Sequence, residues 1–226
     1  RGDVLISGEG SSGVRGGKAG GVARVWALNK RAVTAVLPEH NGPIWSIALW
    51  SDKGGGGGGC GEPLHAISAS SDATARVWRV GQARGAGAKA KLYSDATLKH
   101  PHQFVYSASV ASSEGLAATG CGDGYVRLWA LNTHACLRAL HHGGGAVMSV
   151  RLHGGVLASG GQDRTVQLWS LGRADGLVEA GNEADGGRIA TLTHGAAVRG
   201  LAISSATGTI VSAGGSDVNR LVVWRP

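Results

Sequence analysis

The sequence is poor in several residue types: its 226 residues include Phe 1, Met 1, Tyr 3, Cys 3 and Pro 5, and only 16% are charged. The three cysteines, Cys60, Cys121 and Cys136, form neither an even set nor a CxxC pair, so no disulfide framework and no zinc site is indicated. A reducing, intracellular compartment, cytoplasmic or nuclear, is therefore expected. No apolar run reaches the ~18 residues of a membrane span, and Arg1-Gly2-Asp3 does not open a signal peptide. The net charge is +7, yet no run of five or more Lys/Arg exists to make a concentrated basic stripe. The excess lies early: residues 1–100 carry 13 Lys/Arg against 7 Asp/Glu, and residues 101–226 carry 9 against 8.

What is abundant is glycine, 40 residues, and tryptophan, 7 residues. Glycine inside a helix costs about 1 kcal/mol relative to alanine, so this many glycines exclude a long helical bundle. Collagen would need glycine at every third position with abundant proline, and the glycines here cluster irregularly. With 42% hydrophobic residues the chain can build a core, so the composition predicts an all-β domain of many short strands and turns.

The tryptophans show how those strands are organised. Five segments end alike: Ala23-Arg24-Val25-Trp26, Ala75-Arg76-Val77-Trp78, Val126-Arg127-Leu128-Trp129, Val166-Gln167-Leu168-Trp169 and Leu221-Val222-Val223-Trp224. Each follows a small apolar segment ending in Ser, Thr or Gly, such as Val156-Leu157-Ala158-Ser159, and four have an Asp between, at 72, 123, 163 and 217. Further upstream lie apolar residues spaced three and then two apart: Ile44, Ile47, Leu49; Val105, Ala108, Val110; Val147, Val150, Leu152; Val198, Leu201, Ile203. A plain strand has period two, so the extra residue predicts a β-bulge near the start of each of these strands. A fourth strand follows the Trp strand, as in residues 31–37, 136–140 and 188–192. A repeat of this length, built from four short antiparallel strands, indicates radially stacked sheets, because one such sheet cannot bury both faces alone.

These residues resemble the WD40 β-propeller family over essentially the whole chain. The stretch His142 to Leu171 is closest, with His at the entry, a Val-x-x-Val-x-Leu strand, Ser159-Gly160-Gly161-Gln162-Asp163 and Thr165-Val166-Gln167-Leu168-Trp169. The final Asp of the family dipeptide is absent, since Ala, Arg or Ser follows each Trp. The first repeat is weaker, with a glycine-rich insertion from Gly8 to Gly21 and no loop Asp. The resemblance implies one propeller domain over residues 1–226, with repeats at about 1–37, 38–98, 99–140, 141–193 and 194–226. Family members usually close with seven blades, so five repeats are expected to be part of a larger propeller. The inserts at 51–62, 81–89 and 171–186 fall between strands and call for no function of their own.

A His, a Ser or Thr, an Asp and a Trp recur in four repeats, which imitates a hydrolase triad. The resemblance instead implies a structural chain in which Trp Nε1 meets the hydroxyl, the hydroxyl meets His, and His meets Asp. The members are His40, Ser68, Asp72 and Trp78; Thr119, Asp123 and Trp129 with either His100 or His102; His142, Ser159, Asp163 and Trp169; and His194, Ser212, Asp217 and Trp224. Repetition favours structure, because one active site needs one set. No catalytic residue, cofactor or metal is expected. Gly8-Glu9-Gly10-Ser11-Ser12-Gly13 has dinucleotide-loop spacing, but the glycines after it forbid the helix such a site requires.

In a propeller, the loops entering the inner strands share one face with those between the second and third strands. The resemblance places Trp45, Tyr106, Met148 and Arg199 there, and Ser71, Gln162, Arg164 and Ser216 beside the loop Asp positions. These aromatic, Met and Arg types are enriched at interfaces. The expected function is a non-catalytic scaffold that binds a protein or peptide partner, within a multi-subunit complex, through this top face. Two other functions are carried: a substrate-recognition subunit of a ubiquitin ligase, since residues 142–171 are similar to repeats of F-box proteins, and a nucleic-acid-associated propeller using the basic first half. The architecture also resembles ciliary and trafficking subunits of the family.

Overall fold

The computed structural model describes residues 4–9, 21–27, 32–51, 64–80, 92–101, 103–171, 187–204, 206–215 and 219–225. They form eighteen strands in five antiparallel sheets, with one 3-10 turn, Ser112–Glu114, among the described residues. The chain divides into two compact units, Arg1–Val105 and Tyr106–Pro226. The all-β class expected from the glycine content is therefore the observed one.

In the first unit, β1 (Val4–Glu9), β2 (Gly21–Ala27) and β3 (Ala32–His40) make a three-stranded sheet in chain order. A four-stranded sheet follows, of β4 (Ile44–Ser51), β5 (Leu64–Ser70), β6 (Thr74–Val80) and β7 (Leu92–Lys99). The fourth strand of the first repeat was expected to end at residue 37, and β3 runs on to His40, whose backbone pairs with Gly21. Ile44, Ala66 and Trp78 form the core of the second sheet, with Ile47 packed against them.

In the second unit, β8 (Val105–Ala111), β9 (Leu116–Cys121), β10 (Tyr125–Ala130) and β11 (Cys136–His141) form one sheet. The next comprises β12 (Val147–His153), β13 (Val156–Gly161), β14 (Thr165–Ser170) and β15 (Arg188–Thr193). The last has β16 (Val198–Ile203), β17 (Ile210–Gly214) and β18 (Arg220–Trp224).

The second strands are built from small residues because both of their faces are covered. Every residue of β9 is buried. A Cβ added at Gly120 would come within 2.9 Å of Val147 Cγ1, and one at Gly160 would run into Val198, so each glycine is where the next sheet's inner strand docks. Larger side chains fill the space around them: Leu116, Val126, Leu128, Val147, Val150, Leu157 and Trp169 share one cluster, and Val166, Val198, Leu201 and Ile210 belong to another. Burial of such side chains contributes roughly 1.5 to 3 kcal/mol each, which is what holds one sheet against the next.

Polar groups at the sheet seams are also satisfied. The Val150 and Leu152 amides on the inner edge donate to Ser107 Oγ and Ser109 Oγ, each at 3.1 Å, and Gly155 N donates to Glu114 Oε1 at 2.9 Å. The small polar residues of β8 thus complete the hydrogen bonding of β12, an edge strand that has only one neighbour within its own sheet.

Candidate interaction face

The three-then-two spacing of the inner strands becomes a skipped residue in each ladder. Ile44 faces Ser70 and Ser46 faces Ala69, so Trp45 is left out of the pairing. Val147 faces Gly161 and Ser149 faces Gly160, which leaves out Met148; Val198 faces Gly214 and Gly200 faces Ala213, which leaves out Arg199. A bulge re-aims its extra side chain away from the regular alternation of the strand. Trp45 is 56% exposed, Arg199 is exposed and Met148 is half-buried. Tyr106, at the matching position of β8, is half-buried.

Of the loop residues beside the acids, Ser71 is half-buried, and Gln162 and Arg164 are exposed. Ser216 lies outside the described residues. Gln162 is tied to the entry loop of its own sheet: its amide donates to Ala146 O at 2.9 Å, and its Oε1 accepts from Ala146 N at 3.3 Å. Arg164 has φ +68°, a left-handed conformation that costs a non-glycine residue roughly 1 to 2 kcal/mol. Its carbonyl accepts from His194 N at 2.8 Å, linking this turn to the entry of the final sheet. Trp45 and Ser71 belong to the first unit; Tyr106, Met148, Gln162, Arg164 and Arg199 belong to the second.

Beneath these residues run the recurrent polar chains. In sheet β4–β7, Trp78 Nε1 donates to Ser68 Oγ at 2.8 Å, Ser68 Oγ lies 2.6 Å from His40 Nε2, and His40 Nδ1 lies 2.8 Å from Asp72 Oδ2. In sheet β12–β15, Trp169 Nε1 donates to Ser159 Oγ at 3.0 Å, which lies 2.8 Å from His142 Nδ1, with His142 Nε2 3.2 Å from Asp163 Oδ1. A neutral imidazole satisfies every member, accepting from Ser O–H on one nitrogen and donating to the carboxylate from the other. Asp72 and Asp163 also accept from the backbone and hydroxyl of Thr74 and Thr165, which closes each turn. Ser68 and Ser159 are fully buried, so neither hydroxyl is placed to attack a substrate.

The other two repeats differ. Trp129 Nε1 donates to Thr119 Oγ1 at 2.9 Å, but among the described residues Asp123 is held by Arg127, at 2.6 Å, and by Tyr125 N. His100 is buried with Nδ1 3.2 Å from Leu98 O, and His102 lies outside the described residues. In the last sheet Trp224 Nε1 donates to Ser212 Oγ at 2.8 Å. His194 Nδ1 lies 3.0 Å from Ala196 O, while its buried Nε2 has no partner among the described residues; Asp217 falls outside them. Sequence reasoning did not anticipate Arg127 as the holder of Asp123, although the four-residue spacing within one strand was a readable signal.

Electrostatics follow burial and partners. Burial alone would raise the Asp72 carboxyl, but hydrogen bonds from His40 and Thr74 and the nearby His40 charge outweigh it and hold the group far below the usual carboxylate range. Asp123 is likewise lowered, burial being overcome by Arg127 and the Tyr125 amide. Burial pushes the His142 imidazole down, with Asp163 opposing. The Cys121 thiol is pushed up by burial to about 11, which leaves it an inert core residue. No cluster of three or more His, Cys, Asp or Glu suited to a metal exists among the described residues. No described helix is long and apolar enough to cross a membrane.

Comparison with known proteins agrees with this geometry. The WD domain, G-beta repeat model matches residues 31–79, 94–130 and 134–170, more than half of the chain. WD repeat-containing protein 90 of Xenopus tropicalis is 26% identical over 177 residues, which cover 71% of this chain and 9% of that protein. The chain thus spans about 9% of the length of the curated relative it matches. With the repeated bulge, the Trp-to-hydroxyl chain and the family match on the same residues, the chain belongs to the WD40 repeat family.

Proposed function

We propose that this chain is a non-catalytic scaffold that binds a protein or peptide partner through the loop end of its sheets. WD40 repeats generally serve protein interaction, and the finer assignment rests on one observation: Trp45, Met148 and Arg199 each occupy the residue that the β-ladder skips. Three bulges at equivalent places present an aromatic, a thioether and a guanidinium, chemically unlike one another on similar backbones. Conserving backbone geometry while varying side chain is how a repeat platform gains specificity. The burial of Ser68 and Ser159 and the repetition of their sets support a structural and not a catalytic role for them. The repeats bounded at about 1–37, 38–98, 99–140, 141–193 and 194–226 remain the units of this scaffold, and an assembly of several subunits is its expected setting.

The test is site-specific photo-crosslinking in cells from positions 45, 148 and 199, with position 137 on the exposed outer strand β11 as control. A common partner captured from the three bulge positions and not from 137 is expected. Capture from 137 alone would place the interface on the outer strands.

A further inference from the structure

The final sheet carries a cavity of about 570 Å³ whose lining includes Arg199, Gly200, Gly214, Asn219, Arg220 and Leu221. Its two arginines arrive from different directions. Arg199 is the bulged residue of β16, and Arg220 of β18 pairs in register with Gly214, which also faces Val198. The floor is largely backbone: a Cβ added at Gly200 would meet nothing nearer than Ala213 Cβ at 3.9 Å, so the space above it is open. Arg220 Nη1 donates to His194 O at 3.1 Å, which fixes one arm of its fork. The Arg199 side chain makes no hydrogen bond or ion pair with a described residue, and no carboxylate is among the described lining residues. Leu221, 68% exposed, supplies an apolar wall beside the two cations.

We propose that this cavity seats an acidic segment of the protein partner, with a carboxylate between Arg199 and Arg220 and an apolar neighbour against Leu221. The inference rests on the interaction-face assignment above and names the chemistry one part of it selects. A guanidinium fork matches a carboxylate bidentately, and one already oriented by a backbone carbonyl loses less freedom on binding. A nucleic-acid backbone fits less well, because it needs a track of cations, whereas this is a single cup in a region with 9 Lys/Arg against 8 Asp/Glu.

The test is a titration of the isotope-labelled 226-residue chain with a short, capped peptide of alternating glutamate and leucine, followed by backbone amide NMR. Saturable shifts centred on Gly200, Gly214 and Arg220 are expected, with a glutamine-for-glutamate peptide at least about ten-fold weaker. Arg199→Ala should weaken binding about ten-fold, and Arg199→Lys, which keeps charge but not the fork, by less. Gly200→Leu fills the cup without altering charge and should abolish the shifts; thermal melts of each variant show that it folds. The proposal is overturned by no saturable shift up to about 5 mM peptide. Equal binding of the glutamine peptide, unchanged affinity in Gly200→Leu, or tighter binding of an oligothymidylate at the same amides would overturn it too. If those results coincide with continued crosslinking from positions 45 and 148, the interaction face stands without this acidic site. Saturable peptide binding with no crosslinks from 45 or 148 would instead remove the wider face and leave the cup.

Discussion

Sheets β8–β11 and β12–β15 solve one problem in two ways. Both bury a tryptophan whose Nε1 donates to a hydroxyl on the second strand, Thr119 in one and Ser159 in the other. They part at the acid of the following turn. Asp163 is held by His142, which comes from the loop entering the sheet, 21 positions earlier in the chain; Asp123 is held by Arg127, four positions later on the adjoining strand. The first arrangement staples the entry loop to the turn through a neutral ring. The second is a local ion pair that stiffens its own turn, with both side chains largely shielded from solvent. Equivalent acids in a repeat protein therefore need not have equivalent mechanical effects, and motif matching alone does not distinguish them.

The largest expected effect that separates the two is Asp163→Ala. It removes the acceptor of His142, of Thr165 N and of the Thr165 hydroxyl, and should cost about 2 to 3 kcal/mol in denaturant unfolding. Hydrogen exchange should quicken at residues 142–146 as the entry loop is released. Asp123→Ala should cost about 1 to 3 kcal/mol with faster exchange confined to residues 121–127. Entry-loop release in both variants, or in neither, would erase the contrast.

Gly160→Ala comes next. Its Cβ would press on Val198 and Leu201, so a loss of about 1 to 3 kcal/mol is expected. Sheet β4–β7 already carries a buried Ala69 at the corresponding register position, so Ala69→Gly there should leave a void and destabilise by the opposite route. A Gly160→Ala variant with unchanged melting temperature would show that the sheets slide apart at no cost.

Acid separates the two acids by pH. The His142 pKa lies below its ordinary 6.5, so the unfolded chain takes up the proton first; the contribution is full above about 6.5 and declines as pH falls through the folded value. Asp123 and Asp72 are lowered from 3.8, so their contributions are full above that value and are lost only in stronger acid. Melting temperature should begin to fall between about pH 6.5 and 5, and His142→Gln should flatten that first stage while leaving the second. A single transition below pH 4 would remove His142 as the first proton acceptor.

The smallest effect concerns Arg164. Replacing it by glycine relieves the left-handed backbone, offset by greater freedom of the unfolded chain, for a net gain of up to about 1 kcal/mol. Partner crosslinking should weaken at the same time. A loss of stability would show that the Arg164 side chain packs against its neighbours.

The repeat, the five Trp strands and the inner-strand bulges were legible because they rest on local spacing: three-then-two can be met only by a skipped residue. The polar chains were legible only through the family resemblance, since residues 142 and 163 come together by sheet pairing and not by proximity in sequence. The Asp123 partnership was misjudged for the same reason in reverse. A family pattern expects a long-range histidine, and a nearby arginine on the right face of the strand takes the acid first. The cup at Arg199 and Arg220 could not be read from the sequence, because it depends on the absence of side chains at Gly200 and Gly214 from two different strands.

The serine hydroxyls at 107 and 109 bear on how this chain behaves in company. An open strand edge is a template on which a stray segment can add and from which aggregation can spread. By occupying the Val150 and Leu152 amides, the two serines deny that edge to a newcomer with groups too small to extend the sheet. Solubility of a many-edged molecule is here a matter of two hydroxyls. Their replacement by alanine would first be noticed in the protein's shelf life at high concentration.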